Sequence, residues 1–416
     1  MVAGLAVTLF SISTVVAQPR GLLPADAPVV AAPVDPTGMT ALQARLERVP
    51  GDWTTWNALG DAYLRQSIAT ADPGYYSRAE GAFARSLELR PEDNDGALTG
   101  QGALAGSRHD FGTALSLAQR ALDINPYSAA ALGVQVDALV ELGQYEEAER
   151  ALQRMLDVKP STASLARASY YRELHGDISG ARLALEDALA FASVESDKMF
   201  ALQYLGELAF AHGDPTAAVQ HYDAGLRLRP DDPALLAARA EARAALGQVA
   251  GALEDYENSV ARLPDPGHLA EYATLLAAAG RAEEAQQQQQ LVRTVYRLLQ
   301  EGGSAVDLEL AYYEAGLGNG DAAVAAAQRE YDRRATVHTE DALAYALHVA
   351  GRDEEALPHA LAAERLSSQN GAFAYHRGLI EAALGMPEAR ATLQRAVDIN
   401  PYSTDGVAAA AALAAL

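Results

Sequence analysis

Residues 53–91 read WTTWNALGDAYLRQSIATADPGYYSRAEGAFARSLELRP. Trp56, Leu59, Gly60 and Tyr63 fall at i, i+3, i+4 and i+7, so the four share one face of a helix. Small residues at Gly60 and Ala79 let a second, antiparallel helix carrying Phe83 approach closely, and Pro91 stops that helix. One such pair cannot bury its own apolar face, so neighbouring pairs must stack on it.

The rest of the chain keeps that beat. DINPYS occurs at Asp123 to Ser128 and again at Asp398 to Ser403. Prolines at Pro91, Pro126, Pro160, Pro230, Pro264 and Pro401 lie close to whole multiples of 34 residues apart. Gly143, Gly176, Gly213, Gly247, Gly280, Gly320, Gly351 and Gly385 mark the turns inside the pairs, and Asp177 and Asp214 are placed to cap the helices that follow. The beat predicts ten repeats starting near residues 53, 95, 129, 162, 199, 233, 266, 306, 337 and 371. Arg281 to Glu301 reads as one long second helix whose glutamines, Gln286 to Gln290, make a solvated face. Asp405 is expected to cap a last helix over residues 404–416, apolar enough to offer a self-association surface.

These positions resemble the tetratricopeptide-repeat family. Trp56, Leu59, Gly60 and Tyr63 match its first helix, and Ala79, Phe83 and Pro91 its second. Leu202, Leu205, Gly206, Ala218, Tyr222 and Pro230 repeat the match, as do Ala148 with Pro160 and Ala252 with Tyr256 and Pro264. The chain is similar to bacterial-type members that carry an N-terminal signal or anchor. The resemblance implies an all-α fold, a right-handed α-solenoid superhelix of about ten repeats over residues 39–403, acting as a scaffold or adaptor. It also implies that first helices line a concave groove. The groove positions carried over are Asn57, Asp61, Arg65, Asp137, Glu141, Tyr170, Glu173, Phe200, Gln203, Glu207, Phe210, Glu241, Glu314, Asp341, Tyr345 and Tyr375. Acid recurs among them, which suits a basic protein or peptide partner and opposes an acidic C-terminal tail. The segment from Leu42 to Tyr63 also resembles, over one repeat, the repeat part of cytochrome c maturation proteins, an assembly-factor alternative.

Composition narrows the function classes. The net charge of −23, with Lys159 and Lys198 the two lysines, opposes binding to a phosphate backbone. The absence of cysteine removes disulfides, thiolate metal sites and a cysteine nucleophile. Residues 2–17, VAGLAVTLFSISTVVA, have the length of a signal-peptide core and predict export or a membrane anchor, with an extracytoplasmic array. Pro19, Pro24, Pro28, Pro33 and Pro36 make residues 18–38 an extended spacer. The Asp72-Pro73-Gly74 turn and Tyr75-Tyr76 form an insertion in the first repeat.

No phosphate-binding loop, zinc-protease helix or nucleophile elbow is present, and Gly302-Gly303-Ser304 reads as a helix start. The nine histidines show no ligand spacing, so neither a metal nor a cofactor is expected. A hydrolase or transferase would need two groove carboxylates of well-separated pKa.

Overall fold

The computed structural model describes residues 36–416 apart from 71 and 73. The expected export segment, the spacer up to residue 35 and part of the Asp-Pro-Gly turn lie outside the described residues. Among the described residues there are twenty-two helices and no strand. The chain is an α-solenoid.

Helix α1 (Pro36–Arg48) precedes ten antiparallel hairpins and α22 (Thr404–Ala415) follows them. The first five hairpins are α2 (Trp53–Thr70) with α3 (Gly74–Leu89), α4 (Asp95–Ser107) with α5 (Phe111–Ile124), α6 (Ala129–Glu141) with α7 (Tyr145–Val158), α8 (Thr162–Leu174) with α9 (Ile178–Phe191), and α10 (Glu195–Ala211) with α11 (Pro215–Leu228). Next come α12 (Pro233–Ala245) with α13 (Val249–Arg262), and α14 (Pro266–Ala278) with the long α15 (Ala282–Glu301). The last three are α16 (Asp307–Gly316) with α17 (Gly320–Arg333), α18 (Val337–Val349) with α19 (Asp353–Ala363), and α20 (Gly371–Ala383) with α21 (Ala389–Ile399).

Local chemistry explains the hairpins. Phe83 is fully buried, and a Cβ on Gly60 would stand 2.5 Å from its ring, so only glycine admits that ring between the helices. Gly206 makes the same room for Tyr222. The Asp177 carboxylate accepts from Gly180 N at 2.9 Å and that of Asp214 from Ala217 N at 2.8 Å, so both cap second helices.

Three local expectations are corrected. Gly320 is not a turn glycine: Gly318 has the positive φ, 78°, and Gly320 is the first residue of α17. Gly302 caps the end of α15 instead of opening a helix. Ser403, not Asp405, caps α22, accepting from Gly406 N at 3.0 Å. Tyr75 and Tyr76 both pack on the first hairpins, Tyr76 donating to Ser107 O at 3.4 Å.

First helices pack on one another from hairpin to hairpin, α2 on α4, α4 on α6, α6 on α8, α8 on α10, α10 on α12 and α12 on α14. Among the described residues the second helices do not pack on one another as closely, so the array curves with the first helices inside. The run breaks once, between α14 and α16, where Val292, Tyr296, Val306 and Tyr313 fill the joint. It resumes with α16 on α18, α18 on α20 and α20 on α22.

The curvature is tight enough for one turn of the superhelix to rest on the next. Ala305 N donates to Arg108 O at 3.4 Å, joining the turn of hairpin two to the entry of hairpin eight. Val337 N donates to Tyr145 Oη at 3.1 Å, joining hairpin three to hairpin nine. Gln369 Nε2 donates to Gly176 O at 3.3 Å, joining hairpin four to hairpin ten. Asn400 Nδ2 donates to Phe210 O at 2.7 Å, joining hairpin five to α22. Each contact spans six hairpins. Leu139, Val140, Tyr145 and Leu174 share one apolar cluster with Val337, Ala363 and Phe373, so the seam has a core of its own.

Candidate functional site

The inner wall is where the structure collects the sequence-predicted residues, but it uses them unequally. Asn57 Nδ2 donates to Asn94 Oδ1 at 2.9 Å, tying hairpin one to the cap of α4. Asp61 and Arg65 stand half-buried one turn and two turns further along α2. Asp137 is gripped by both arms of Arg167, at 2.6 and 2.8 Å, which neutralises it. Tyr170 Oη lies 3.4 Å from His338 Nε2, across the seam, and Glu173 is half-buried near the end of α8.

Four expected contact residues are spent on the interior. Phe200 and Phe210 are buried in the cores of hairpins four to six. Glu141 is buried against Arg334, which also binds Glu330 and lies over the Phe111 ring at 4.7 Å. Asp341 is 1% exposed. These four are therefore not partner contacts. Glu314 turns back to accept from Asn319 Nδ2 at 2.6 Å.

The remaining acids converge. Glu207, which accepts from Gln203 Nε2 at 2.8 Å, Glu241 and Glu271 lie on α10, α12 and α14, and Asp405 approaches from the first turn of α22. Burial pushes the Glu241 carboxyl well above the carboxylate range, and the negative fields of Glu271, Glu207 and Asp405 push it further. Burial also raises Glu271, whose Oε2 accepts from Tyr256 Oη at 2.9 Å. Asp405 is pushed up to about 7 by burial, with His376 pulling it down and Asp341 pushing it up. Among the described residues no ion pair involves Glu241, Glu271 or Asp405. Burial and mutual repulsion thus favour the protonated form of Glu241, while the imidazoles of His268 and His376 act on Glu271 and Asp405.

Beside Asp405 lies a buried dyad that the sequence pattern does not reveal. His376 Nδ1–H donates to Asp341 Oδ2 at 2.8 Å, and the same oxygen accepts from Tyr312 Oη at 2.9 Å. Burial disfavours charge on His376, but Asp341 and Asp405 together raise its pKa above the ordinary imidazole value. Its ring stacks on Tyr345 at 3.9 Å, with Tyr375 at 5.6 Å. Scattered histidine spacing gives no sign of this; the three first helices α16, α18 and α20 bring it together. Glu271 and Asp405 were missed for a similar reason, one lying off the usual groove register and the other being taken for a cap. On the outer side a shallow groove runs between α5 and α7, lined by Leu115, Gln119, Glu147 and Arg150.

The family model for the tetratricopeptide repeat matches residues 107–169, which run from the turn of hairpin two to the first helix of hairpin four. Over those residues the hairpins match the tetratricopeptide repeat. Three solved structures are among those similar to the chain. A tetratricopeptide-repeat protein of Thermus thermophilus is 22% identical over 44% of this chain and 98% of its own, with a TM-score of 0.39. PilF of Pseudomonas aeruginosa is 18% identical over 51% and 98%, at 0.41. PilW, a type IV pilus biogenesis factor, is 17% identical over 49% and 94%, at 0.42. No curated protein matches the chain. Stacked helical hairpins of this kind form an extended inner surface, and this chain has that architecture.

Proposed function

We propose that the tetratricopeptide array holds a basic segment of another protein against its inner wall. The observation that supports this reading is the gathering of Glu207, Glu241, Glu271 and Asp405 along the inner wall, where, among the described residues, Glu241, Glu271 and Asp405 make no ion pair with a Lys or Arg. A half-buried acid whose pKa is raised first by burial, and in Glu241 further by neighbouring acids, is stabilised in its charged form by an incoming cation. Lys or Arg on the partner supplies that cation, and the partner segment extends toward Asp61 and Arg65 in hairpin one. In this reading residues 2–17 export or tether the array, and the partner is extracytoplasmic.

Photo-crosslinking tests it. A photoreactive residue at Arg65 or Gln203 on the inner wall is expected to capture one discrete partner from the membrane fraction, through a Lys- or Arg-rich segment. Capture is expected to fall in high salt, since the Debye length shrinks from about 10 Å at 0.1 M to about 3 Å at 1 M. The same group at Arg150 or Gln153, on the outer side, is expected to capture little. Equal capture from both faces, or capture indifferent to salt, would falsify the reading.

A further inference from the structure

The seam between the two superhelical turns repeats one kind of contact. The turn inside a hairpin meets the chain that enters the hairpin six places on. An added Cβ would stand 2.8 Å from Ala335 O at Gly143, 2.5 Å from Ser367 O at Gly176 and 3.3 Å from Ile399 O at Gly213. The turns of hairpins eight, nine and ten carry the same positive φ, at Gly318, Gly351 and Gly385. Among the described residues nothing comes within 4 Å of a Cβ added at any of these three. The second superhelical turn therefore presents the same edge with nothing resting on it.

The matching surface lies on the opposite edge of the first superhelical turn. There Asp123–Ser128 repeats the sequence of the docked loop Asp398–Ser403, and its asparagine makes the same bond to the tyrosine N–H. The docked Asn400 is 3% exposed, whereas Asn125 is exposed, and Tyr127 is 78% exposed against 46% for Tyr402. Asn125 Nδ2 spends one hydrogen on Asp95 and keeps a second to donate. Further along the same edge, Phe191 and Val194 are exposed at the entry to hairpin five. Apolar groups gathered along one exposed edge mark an association surface. Charge is complementary as well. The two lysines of the chain, Lys159 and Lys198, stand exposed at the entries to hairpins four and five. Across the molecule, Asp353, Glu354 and Glu355 open α19 beside the Gly351 turn.

We propose that one copy of the chain stacks on a second copy by carrying this seam across molecules. The entries to hairpins three, four and five of one copy rest on the turns of hairpins eight, nine and ten of the next. The offset of six sets that register. The entry to α22 already lies on hairpin five, so a copy's first two hairpins take the places over hairpins six and seven. Asn125 then reaches the carbonyl of Ala315, three residues before Gly318, as Asn400 reaches that of Phe210, three before Gly213. Lys159 faces the acids of α19, and Phe191 and Val194 meet the Gly385 turn. The two copies use different edges, so the contact does not close, and successive copies extend one superhelix. Stacking leaves the inner wall open, so it holds whether or not a basic segment binds there.

The chain has no cysteine, so engineered thiols report the contact directly. Tyr127→Cys and Asn319→Cys, both at exposed positions, are made in the full chain separately and together, then treated with a short bis-maleimide. A mixture of the two single variants is expected to give a mixed dimer, and the double variant a ladder of higher oligomers. Each single variant alone is expected to remain uncrosslinked. Lys159→Glu in the double variant is expected to cut the ladder about tenfold, by repulsion from the α19 acids. Adding Glu354→Lys is expected to restore it, which separates lost charge pairing from lost folding. Absence of the mixed dimer would overturn the stacking. So would equal dimer from Tyr127→Cys alone, which marks a symmetric contact, or a ladder undiminished by Lys159→Glu. An equal ladder from Tyr127→Cys/Arg150→Cys, with the second thiol on the outer side, would also overturn it.

Discussion

The hexapeptide DINPYS shows what a residue does alone and what only the fold can add. In both copies the asparagine side chain accepts from the backbone two residues on, Asn125 from Tyr127 N at 3.2 Å and Asn400 from Tyr402 N at 2.9 Å. In both copies the serine then caps the next helix, so the local role follows from the local sequence. The amide groups diverge. Asn125 Nδ2 meets Asp95 at 3.0 Å in an exposed bond, whereas Asn400 Nδ2 meets buried Phe210 O, one superhelical turn away. Asn400→Ala leaves that carbonyl without a donor and should cost about 2 kcal/mol, against about 0.5 kcal/mol for Asn125→Ala. Urea unfolding of the two variants measures the difference; equal losses would mean that the Asn400 contact adds nothing. Identical hexapeptides could not have announced unequal stakes, because the distinguishing partner lies 190 residues away.

At the scale of the helix pair most of the structure was legible, since the packing that fixes a repeat is local. The 34-residue beat, the capping aspartates and the small residues opposite Phe83 and Tyr222 all sit within one hairpin. The failures share a physical cause. Gly318 and Gly320 stand two residues apart after an overlong α15, and either fits an irregular beat. Asp405 is a capping residue type but is the second residue of the helix that Ser403 caps. The turn glycines also divide into two kinds. Gly247 has φ of 74° with nothing within 4 Å of an added Cβ, whereas Gly176 has φ of 76° with Ser367 O only 2.5 Å away. Gly247→Ala should cost about 1–2 kcal/mol, the left-handed strain alone. Gly176→Ala should cost that and about 1–3 kcal/mol more, because backbone of the next turn must move. Thermal unfolding of the pair checks it, and matching midpoints would show that the seam yields freely.

Over the whole molecule the superhelix closes on itself, and this no local pattern could show. Closure depends on small rotations summed over six repeats, and it decides which predicted contact residues remain available. Glu141 and Asp341 looked like members of an acidic groove, yet closure and the dyad bury both. Glu241 and Asp405 stay half-buried, and the Asp405 charge reaches Glu241. The seam should also respond to acid. His338 lies between Tyr170 Oη, 3.4 Å from its Nε2, and the Phe373 ring at 5.4 Å, and loss of hydration there lowers its pKa to about 4. Asp341 pulls that value up and Arg334 pushes it down. A histidine whose folded pKa is depressed binds its proton preferentially in the opened state. Its contribution is therefore complete above about pH 6.5 and is lost as pH falls toward 4. Between pH 7 and 5 the cost to the closed seam is at most about 2 kcal/mol. Asp405 has the opposite sign, its raised pKa favouring the closed state as pH falls through 7, so Asp405→Asn should unmask the histidine. In that background, small-angle scattering at pH 5 should show a larger radius of gyration than at pH 7. Amide exchange should quicken around Tyr170 and His338, and adding His338→Phe should abolish both changes. If the double variant still opens at pH 5, the acid response belongs to other groups and His338 is only packed at the seam.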